Sequence, residues 1–382
     1  MNSLTEQVVL DPERQRQAKI YARLQRRLEM VDLAVGGIYA LAWLGFGWGI
    51  ALRARLESLT SSPWLLAPLF AAVFGAIYTL IDLPLSYYSG FVLPHRFGQS
   101  TETLRGWITD QLKGLAVSLP LGLVLLEVVF YLLRAAPDTW WLWAAAVLLV
   151  FQVLLANLAP VLLMPLFNKF VPLGEEHADL AERLIRLAQR ANTRVKGVYK
   201  FDMSRRTRSA NAALTGLGST RRIILGDTLI NEFTPDEIET VLAHELGHQV
   251  HKDIPTGIAV GTVVTLVGLF LASLGLRLGV RWFGLAGPAD PAALPLLGLV
   301  LGLYSLVTMP LGNAYSRWRE SRADEYALQA TGNGPAYAAA LTRLANQNLA
   351  DAEPEAWVEF LFYSHPALAR RIAMAQGKNG RG

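Results

Sequence analysis

The chain has 382 residues, of which 52% are hydrophobic and only 17% are charged. Soluble domains average roughly 45–50% apolar and about 25% charged residues, so this composition excludes intrinsic disorder and argues against a plain soluble protein. The chain has no cysteine, which excludes disulfides, a cysteine-ligated metal and a cysteine nucleophile. The net charge of +4 suggests a basic surface, and its distribution along the chain is more informative.

The N-terminal segment is polar and basic. Residues 1–30 contain no apolar core of the about 7–15 residues that a signal peptide requires. A basic helix at a membrane surface and a solvated tail both fit this pattern, and we assign residues 1–32 to a basic cytoplasmic segment. Its basic residues recur among leucines: Arg14, Arg16, Lys19, Arg23, Arg26 and Arg27.

Six apolar stretches follow, each near the ~20 residues that a helix needs to cross a bilayer. Buried helices of a soluble protein could imitate one or two such stretches but hardly six. We predict four transmembrane helices within 33–165, around a cytoplasmic loop at 86–113, and two more within 254–313. The stretches cover about 33–52, 64–85, 114–133, 140–165, 254–276 and 292–313.

The positive charges divide unequally between the two sides of these spans. With a cytoplasmic N-terminus, 30 of the 35 lysines and arginines lie on the cytoplasmic side and 5 on the other side. Such asymmetry is expected of six spans with both termini inside. The regions 166–253 and 314–382 are therefore predicted to be cytoplasmic.

The first of these regions contains a small predicted β element and a clear helix start. Helical periodicity covers 174–191, and three short strands are predicted at 195–203, 211–218 and 222–225. Thr234, Pro235 and Glu237 form a capping signature, which predicts a helix over 235–251. After the last span, further helices are predicted near 315–331, 335–349 and 366–376.

The capped helix contains the sequence His-Glu-Leu-Gly-His at residues 244–248. His244 and His248 share one helix face, so both imidazoles can reach one metal ion, and Glu245 can reach a water molecule beside it. Zinc suits two imidazoles and a carboxylate, and it activates water for hydrolysis. The alternative is a pair of ordinary histidines on a helix surface.

A third ligand is needed, and Glu320 is the best candidate. It lies just after the sixth span, on the side that the topology gives to His244 and His248. Asp324 is one helical turn away, where it could accept a hydrogen bond from a ligand imidazole or serve in proton transfer. Alternatively, this run of charges forms a solvated helix face.

These residues resemble the type I CAAX prenyl proteases, integral-membrane zinc endopeptidases of the gluzincin type. The resemblance rests on residues 244–248 followed by Glu320 and Asp324, and it extends from about residue 30 to 375. The Gln249-to-Asp253 continuation of the metal motif resembles prokaryotic members. Further matching stretches are Phe97-Gly98 with Thr103, Asp110 and Lys113; residues 165–170 with Pro172-Leu173; Asn211-Ala212-Ala213; and Ser364-His365-Pro366 with Arg371-Ile372.

The resemblance implies a role for each matching residue. One Zn²⁺ per chain would be bound by His244, His248 and Glu320, and Glu245 would activate water. Asp324 would hydrogen-bond a ligand or donate a proton, and His365 would stabilise the oxyanion. Substrate binding is assigned to three residues: Asn211, Ala213 and Arg371.

The residues alone leave two of these roles open. His365 could instead cap a helix that begins at Pro366, and Arg371 could be an ordinary surface charge. Asn211 adjoins a predicted edge strand, where an extended peptide could pair with the sheet. By the resemblance, Asp82 and Glu127 would face an interior chamber, since lipid-facing charges are costly.

The expected fold class is mainly α: a polytopic α-helical membrane protein with about six transmembrane helices. It carries a zincin-type metalloprotease domain with a small β element, divided between 166–253 and 314–382. The expected function is cleavage of peptide bonds near the C-terminus of CAAX-type, prenylated or other membrane-associated substrates. Rival functions are quality control of damaged membrane proteins, and a non-catalytic transporter or receptor with a structural metal. Glu245 argues against the latter, since a structural metal site needs no base.

The expected partners are a peptide or protein substrate, with or without an attached lipid, and membrane lipid, with no nucleic acid. The protein is expected to be a monomer in a prokaryotic plasma membrane, with its active site on the cytoplasmic side.

Overall fold

The computed structural model describes residues 8–216 and 218–377. The first seven residues of the basic segment and position 217 of the predicted strand 211–218 lie outside this range. Among the described residues, six helices are long and apolar enough to cross a membrane. They cover Pro12–Gly45, Pro63–Arg96, Leu104–Ala135, Trp140–Phe167, Asp253–Phe283 and Pro291–Thr331. The expectation of about six spans is confirmed.

The first span differs from the predicted 33–52. Helix α1, Pro12–Gly45, begins within the basic segment, where the Asp11 carboxylate accepts hydrogen bonds from the amides of Glu13 and Arg14. It ends early because the backbone turns at Gly47, which has a φ of 69°. Helix α2, Trp48–Glu57, follows as a separate element.

The predicted cytoplasmic loop 86–113 is largely helical. Helix α3, Pro63–Tyr87, continues through a π-helical turn, Tyr88–Val92, into the short helix α4, Leu93–Arg96. Helix α5, Leu104–Ala135, starts soon afterwards, with the Thr103 hydroxyl accepting from the amide of Gly106. Both spans therefore extend beyond their apolar sections.

The fourth span ends in the same manner. Helix α6, Trp140–Leu158, passes through a π-helical turn at Ala159–Leu163 into helix α7, Met164–Phe167. The membrane helices share a hydrophobic core that includes Trp43, Phe70, Phe130, Trp140 and Leu276.

Two acidic side chains of the membrane helices have buried carboxylate oxygens. Oδ1 of Asp82 and both oxygens of Glu127 are buried and accept no hydrogen bond from the described residues. Arg134 Nη2 lies 3.9 Å from Glu127 Oε2.

The four strands form one small mixed sheet in the order β1-β2-β4-β3. The parallel pair β2 and β4 lies at the centre, and antiparallel strands flank it. The sequence did not predict β1, a three-residue strand that ends in proline, whereas the other three match predicted strands. The bounds are β1 Phe170–Pro172, β2 Val198–Phe201, β3 Ala212–Thr215 and β4 Arg222–Gly226.

Helices cover this sheet and share its core. Helix α8, Ala178–Arg190, and helix α9, Asp227–Glu232, adjoin the metal-motif helix α10, Pro235–Val250. Leu184, Ile223 and Leu242 are fully buried in the shared core. Helix α11, Asp253–Phe283, then returns the chain to the membrane.

The sixth span and the predicted helix 315–331 are one continuous helix, α12, Leu294–Thr331. The end of the apolar run at residue 313 therefore marks a change of surroundings and not a helix end. Helix α13, Gly334–Gln347, matches its prediction. A further helix, α14, Ala356–Phe362, was not predicted, and the last helix, α15, Leu368–Ala375, begins two residues later than expected.

Candidate active site

Helix α10 carries the metal motif, and its start has the predicted capping box. The Thr234 hydroxyl accepts from the Glu237 amide at 3.3 Å, and the Thr234 amide donates to Glu237 Oε2 at 2.8 Å. Because the helix is regular through residue 250, His244 and His248 lie on one face. Their Nε2 atoms are 3.3 Å apart.

Gly247 lets α12 approach this face of α10. A Cβ atom at Gly247 would lie only 2.8 Å from the Cα of Ala323, so a larger residue would push the two helices apart. The close approach brings Glu320 of α12 to the histidines. Its Oε2 is 3.2 Å from His244 Nε2, and its Oε1 is 3.4 Å from His248 Nε2.

The donor set fits a metal ion. Ligand atoms from His244, His248 and Glu320 lie within 4.8 Å of one another. Oε2 of Glu320 is buried and accepts no hydrogen bond from the described residues, although a buried carboxylate oxygen normally has a partner. Two imidazoles and a carboxylate are donors typical of a catalytic metal site with an open position. The site can therefore hold a metal ion.

Both histidines turn their other ring nitrogen toward a carboxylate. His248 Nδ1 is 2.7 Å from Asp253 Oδ2, and Arg319 Nε lies 3.2 Å from the same oxygen. His244 Nδ1 is 2.8 Å from Asp324 Oδ1. Such contacts at Nδ1 leave Nε2 free for a metal ion. Asp253 and Arg319 were not predicted as site residues, since their contacts exist only after α11 and α12 meet α10.

The charges around the site set the pKa values of its histidines and its candidate base. Burial alone would lower the pKa of His244, but the Asp324 and Glu320 carboxylates outweigh burial and raise it to about 9. For His248, burial is outweighed mainly by Glu320, and the pKa is raised. Burial raises the pKa of the Glu245 carboxyl above its ordinary value.

Arg371 is buried beside Asp324 and is no surface charge. Its Nε donates to Asp324 Oδ2 at 2.8 Å, and its Nη2 donates to Oδ1 at 2.6 Å. This bidentate geometry is the strong form of a carboxylate pair. The alternative of an ordinary surface charge is therefore wrong, and Arg371 also lines the cavity described below.

His365 lies beside the metal donors. Its Nε2 is 3.4 Å from Glu320 Oε1, and the Ser364 hydroxyl is 3.0 Å from its Nδ1. Helix α15 begins at Leu368 with Ala367 at the N-cap position, so His365 does not cap it. Desolvation lowers the pKa of His365, which leaves the imidazole neutral near neutral pH.

A cavity of about 390 Å³ adjoins the cluster. Asn211 and Ala212 line it from the start of β3, which is an edge strand of the described sheet. Ala213, the neighbouring predicted site residue, pairs with Ile224 and is not part of the lining. The apolar part of the cavity lining includes Leu229, Val241, Leu341 and Leu344.

Two family models match the chain in succession. The model "CAAX prenyl protease N-terminal, five membrane helices" matches residues 4–169, and the model for peptidase family M48 matches residues 175–379.

Individual relatives match over most of the chain. "Uncharacterized metalloprotease YhfN" of Bacillus subtilis is 31% identical over 94% of this chain and 84% of its own length. "CAAX prenyl protease 1" of Saccharomyces cerevisiae is 32% identical over 79% of this chain and 70% of its own length.

The crystal structure of S. mikatae Ste24p superimposes with a TM-score of 0.86 at 27% identity. The superposition covers 98% of this chain and 91% of that one. The fold, the donor set and these relatives agree: the chain belongs to peptidase family M48 and is a multi-pass membrane metalloprotease.

Proposed function

We propose that this protein is a zinc endopeptidase that cleaves near the C-terminus of membrane-associated, CAAX-type prenylated proteins. One observation carries the proposal: the donors His244, His248 and Glu320 converge beside Glu245 at a cavity that an edge strand borders. The resemblance to proteins named CAAX prenyl protease 1 supports the substrate class.

One Zn²⁺ would be held by His244, His248 and Glu320. When bound, zinc supplies a Lewis acid that polarises the peptide carbonyl and lowers the pKa of water. The chain's own residues do the rest of the chemistry. Glu245 lines the cavity next to His244, where its carboxylate takes a proton from the attacking water and passes it to the leaving amine.

His365 would donate a hydrogen bond to the oxyanion as the carbonyl is attacked. Nε2 lies 3.4 Å from the Glu320 carboxylate, which can only accept, and the Ser364 hydroxyl can donate to Nδ1, so we place the proton of the neutral imidazole on Nε2. That nitrogen faces the metal donors. A donor fixed in this position stabilises the transition state more than the substrate.

The substrate would bind as an extended peptide along β3. Asn211 precedes this strand, and its carbonyl accepts from the Gly226 amide of β4. The peptide backbone would therefore pair with the opposite edge of β3 at Ala212, and the Asn211 side chain would contact it. Ala213, whose backbone pairs with Ile224, would contribute only packing to substrate binding. The apolar wall of the cavity suits an aliphatic or aromatic side chain beside the scissile bond. Arg371, held by Asp324 at the rim of the metal site, would contact the substrate backbone.

The site lies close to the predicted membrane boundary, which supports a membrane-associated substrate. Asp253, the partner of His248, is the first residue of α11. Glu320 lies seven residues beyond the predicted end of the sixth span at residue 313, or about 10 Å along a helix. A lipid anchored in the bilayer would keep its attached peptide within reach of such a site.

The proposal includes the chain's organisation and orientation. The basic segment 1–32, the loop 86–113 and the two protease regions 166–253 and 314–382 face the cytoplasm, and the spans lie within 33–165 and 254–313. The positive-inside asymmetry of 30 against 5 basic residues supports this orientation. We further propose a monomer in a prokaryotic plasma membrane.

The test uses the full chain and matched peptides that end in a CAAX sequence, with and without a prenyl group. We expect cleavage near the C-terminus, faster on the prenylated peptide. Glu245→Gln should keep its zinc and lose cleavage by roughly 10²–10⁴-fold, since Gln retains the shape without the base. Equal cleavage of both peptides would contradict the lipid preference, and preferential cleavage of unfolded membrane proteins would indicate quality control.

A further inference from the structure

Tyr337 is a buried residue at the metal donors for which the sequence predicted no role. It lies near the start of α13, and only 1% of its surface is exposed. A phenol hydroxyl in such surroundings needs hydrogen-bond partners, because leaving it without them would cost free energy. The partners it has are all members of the active site.

The hydroxyl oxygen of Tyr337 lies between three site residues. It is 3.1 Å from His244 Nδ1, 2.5 Å from Asp324 Oδ1 and 3.2 Å from Arg371 Nη2. His244 Nδ1 therefore has the Tyr337 oxygen and the Asp324 carboxylate as neighbours on the side away from the metal donors.

The chemistry of the partners fixes most of the protons in these contacts. The Arg371 guanidinium can only donate and the Asp324 carboxylate can only accept. The Tyr337 O–H therefore points to Asp324, and its oxygen accepts from Arg371. Asp324 Oδ1, at 2.8 Å, is the nearer acceptor for the N–H at His244 Nδ1, and the second lone pair of the Tyr337 oxygen, at 3.1 Å, is a further acceptor beside it. In the neutral ring that a metal ion would bind, a proton on Nδ1 leaves the lone pair on Nε2, which faces Glu320 and His248.

Packing holds Tyr337 in place independently of any metal ion. The start of α13 lies so close to α15 that a Cβ atom at Gly334 would collide with the carbonyl oxygen of Ala375. Helix α15 also carries Arg371. The phenol and its guanidinium donor are therefore fixed by the same helix contact.

From this geometry we infer that Tyr337 is a positioning residue that, together with the Asp324 carboxylate it donates to, fixes the tautomer and ring orientation of His244. The inference rests on the proposed role of His244 as a metal ligand. Tyr337 acts through His244 and contributes no proton to the reaction. Partners of this kind, one step removed from a metal, typically contribute 10–100-fold to metal affinity or activity, so we expect roughly that effect.

The experiment compares Tyr337→Phe with the wild-type full-length protein in detergent. The substitution keeps the ring and removes only the hydroxyl. We expect zinc affinity, measured by competition with a chromophoric chelator, to fall roughly 10–100-fold. The visible absorption spectrum of the Co²⁺-substituted protein should change, and kcat should fall with little change in KM.

Tyr326→Phe is the matched control. Tyr326 is a half-buried tyrosine of the same protease domain whose ring lies edge-on to that of His251. The control should keep wild-type zinc affinity and the wild-type Co²⁺ spectrum. A Tyr337→Phe protein with wild-type affinity and spectrum would overturn the inference, even if its melting temperature fell. An equal loss of zinc affinity in Tyr337→Phe and Tyr326→Phe would also overturn the inference.

The test of Tyr337 does not depend on whether the proposed protease function is correct. Zinc affinity and the Co²⁺ spectrum are measured without a substrate. If the wild-type protein bound zinc but cleaved no peptide, the proposed function would fail, while the two variants would still decide the role of Tyr337.

Discussion

Each metal-ligating histidine candidate contacts a carboxylate that is itself paired with an arginine. His248 contacts Asp253, which lies beside Arg319, and His244 contacts Asp324, which Arg371 holds in a bidentate pair. An arginine keeps its partner carboxylate ionised and limits its rotation, so the carboxylate remains an acceptor for the imidazole.

Glu320→Ala tests the assignment of the third ligand. Removing this carboxylate leaves two imidazoles and an incomplete site, so bound zinc and proteolysis should both fall to near background. Metal analysis of the purified protein and a peptide-cleavage assay measure the two effects. Glu325→Ala, at an exposed position of the same helix, is the control and should keep both. Full zinc occupancy in Glu320→Ala would refute the assignment.

His365→Ala tests oxyanion stabilisation. If the imidazole binds the developing charge, kcat should fall roughly 10²–10³-fold with little change in KM. The melting temperature should stay near the wild-type value, because the side chain is 58% exposed and caps no helix. His177→Ala, a histidine outside the site, should keep normal kinetics. A normal kcat in His365→Ala would show that His365 has no catalytic role.

The sequence predicts the metal donors better than their surroundings. The convergence of His244 and His248, with Glu245 beside them, follows from one helical period, and Glu320 follows from the topology. The placement of Asp253, Arg319 and Tyr337 depends on how α11, α12 and α13 pack against α10. No local pattern encodes those contacts, so reasoning from sequence spacing could not find them.

At the level of elements, the contact between α10 and α12 assembles the site. One helix supplies both histidines and the other supplies Glu320, and Gly247 is where their backbones meet. The glycine that precedes the second histidine of the His-Glu-Leu-Gly-His sequence therefore has a packing reason in this protein. It permits an approach that any side chain would prevent.

Gly247→Ala should separate these helices. The added methyl group would lie 2.8 Å from the Cα of Ala323 and 3.1 Å from its carbonyl oxygen. Overpacking of this kind typically costs about 1–3 kcal/mol, and the shift should also lower zinc affinity. Thermal unfolding and zinc competition measure both effects. Gly312→Ala is the control, since a Cβ atom there meets nothing within 4 Å. Wild-type zinc affinity in Gly247→Ala would show that the helix spacing tolerates the methyl group.

Element types were predicted more reliably than element ends. The capped helix α10 and three of the four strands match their predictions, because capping residues and short apolar runs are local signals. The predicted break between the sixth span and the next helix, at residues 313 to 315, is absent because hydropathy reports whether lipid or water surrounds a helix and not where its hydrogen bonds end. The short elements β1 and α14 carry too few residues for a periodic signal.

For the whole molecule, the membrane helices and the protease region form one continuous structure. Helix α12 passes from the predicted bilayer section to Glu320, and α11 starts at the residue that contacts His248. Helix α1 likewise connects both parts, as the Gln15 side chain donates to the Ala350 carbonyl and accepts from the Ala352 amide. The site is therefore held at one end of the membrane helices.

The orientation of this assembly can be tested by chemical labelling, because the chain has no cysteine. Single cysteines at exposed positions, Ala286→Cys between α11 and α12 and Glu232→Cys at the end of α9, give a matched pair. The charge asymmetry places residue 286 outside and residue 232 in the cytoplasm. A membrane-impermeant maleimide added to intact cells should therefore label Ala286→Cys alone. After permeabilisation both cysteines should react, which confirms that each is accessible. Labelling of Glu232→Cys in intact cells would place the metal site outside and reverse the proposed topology.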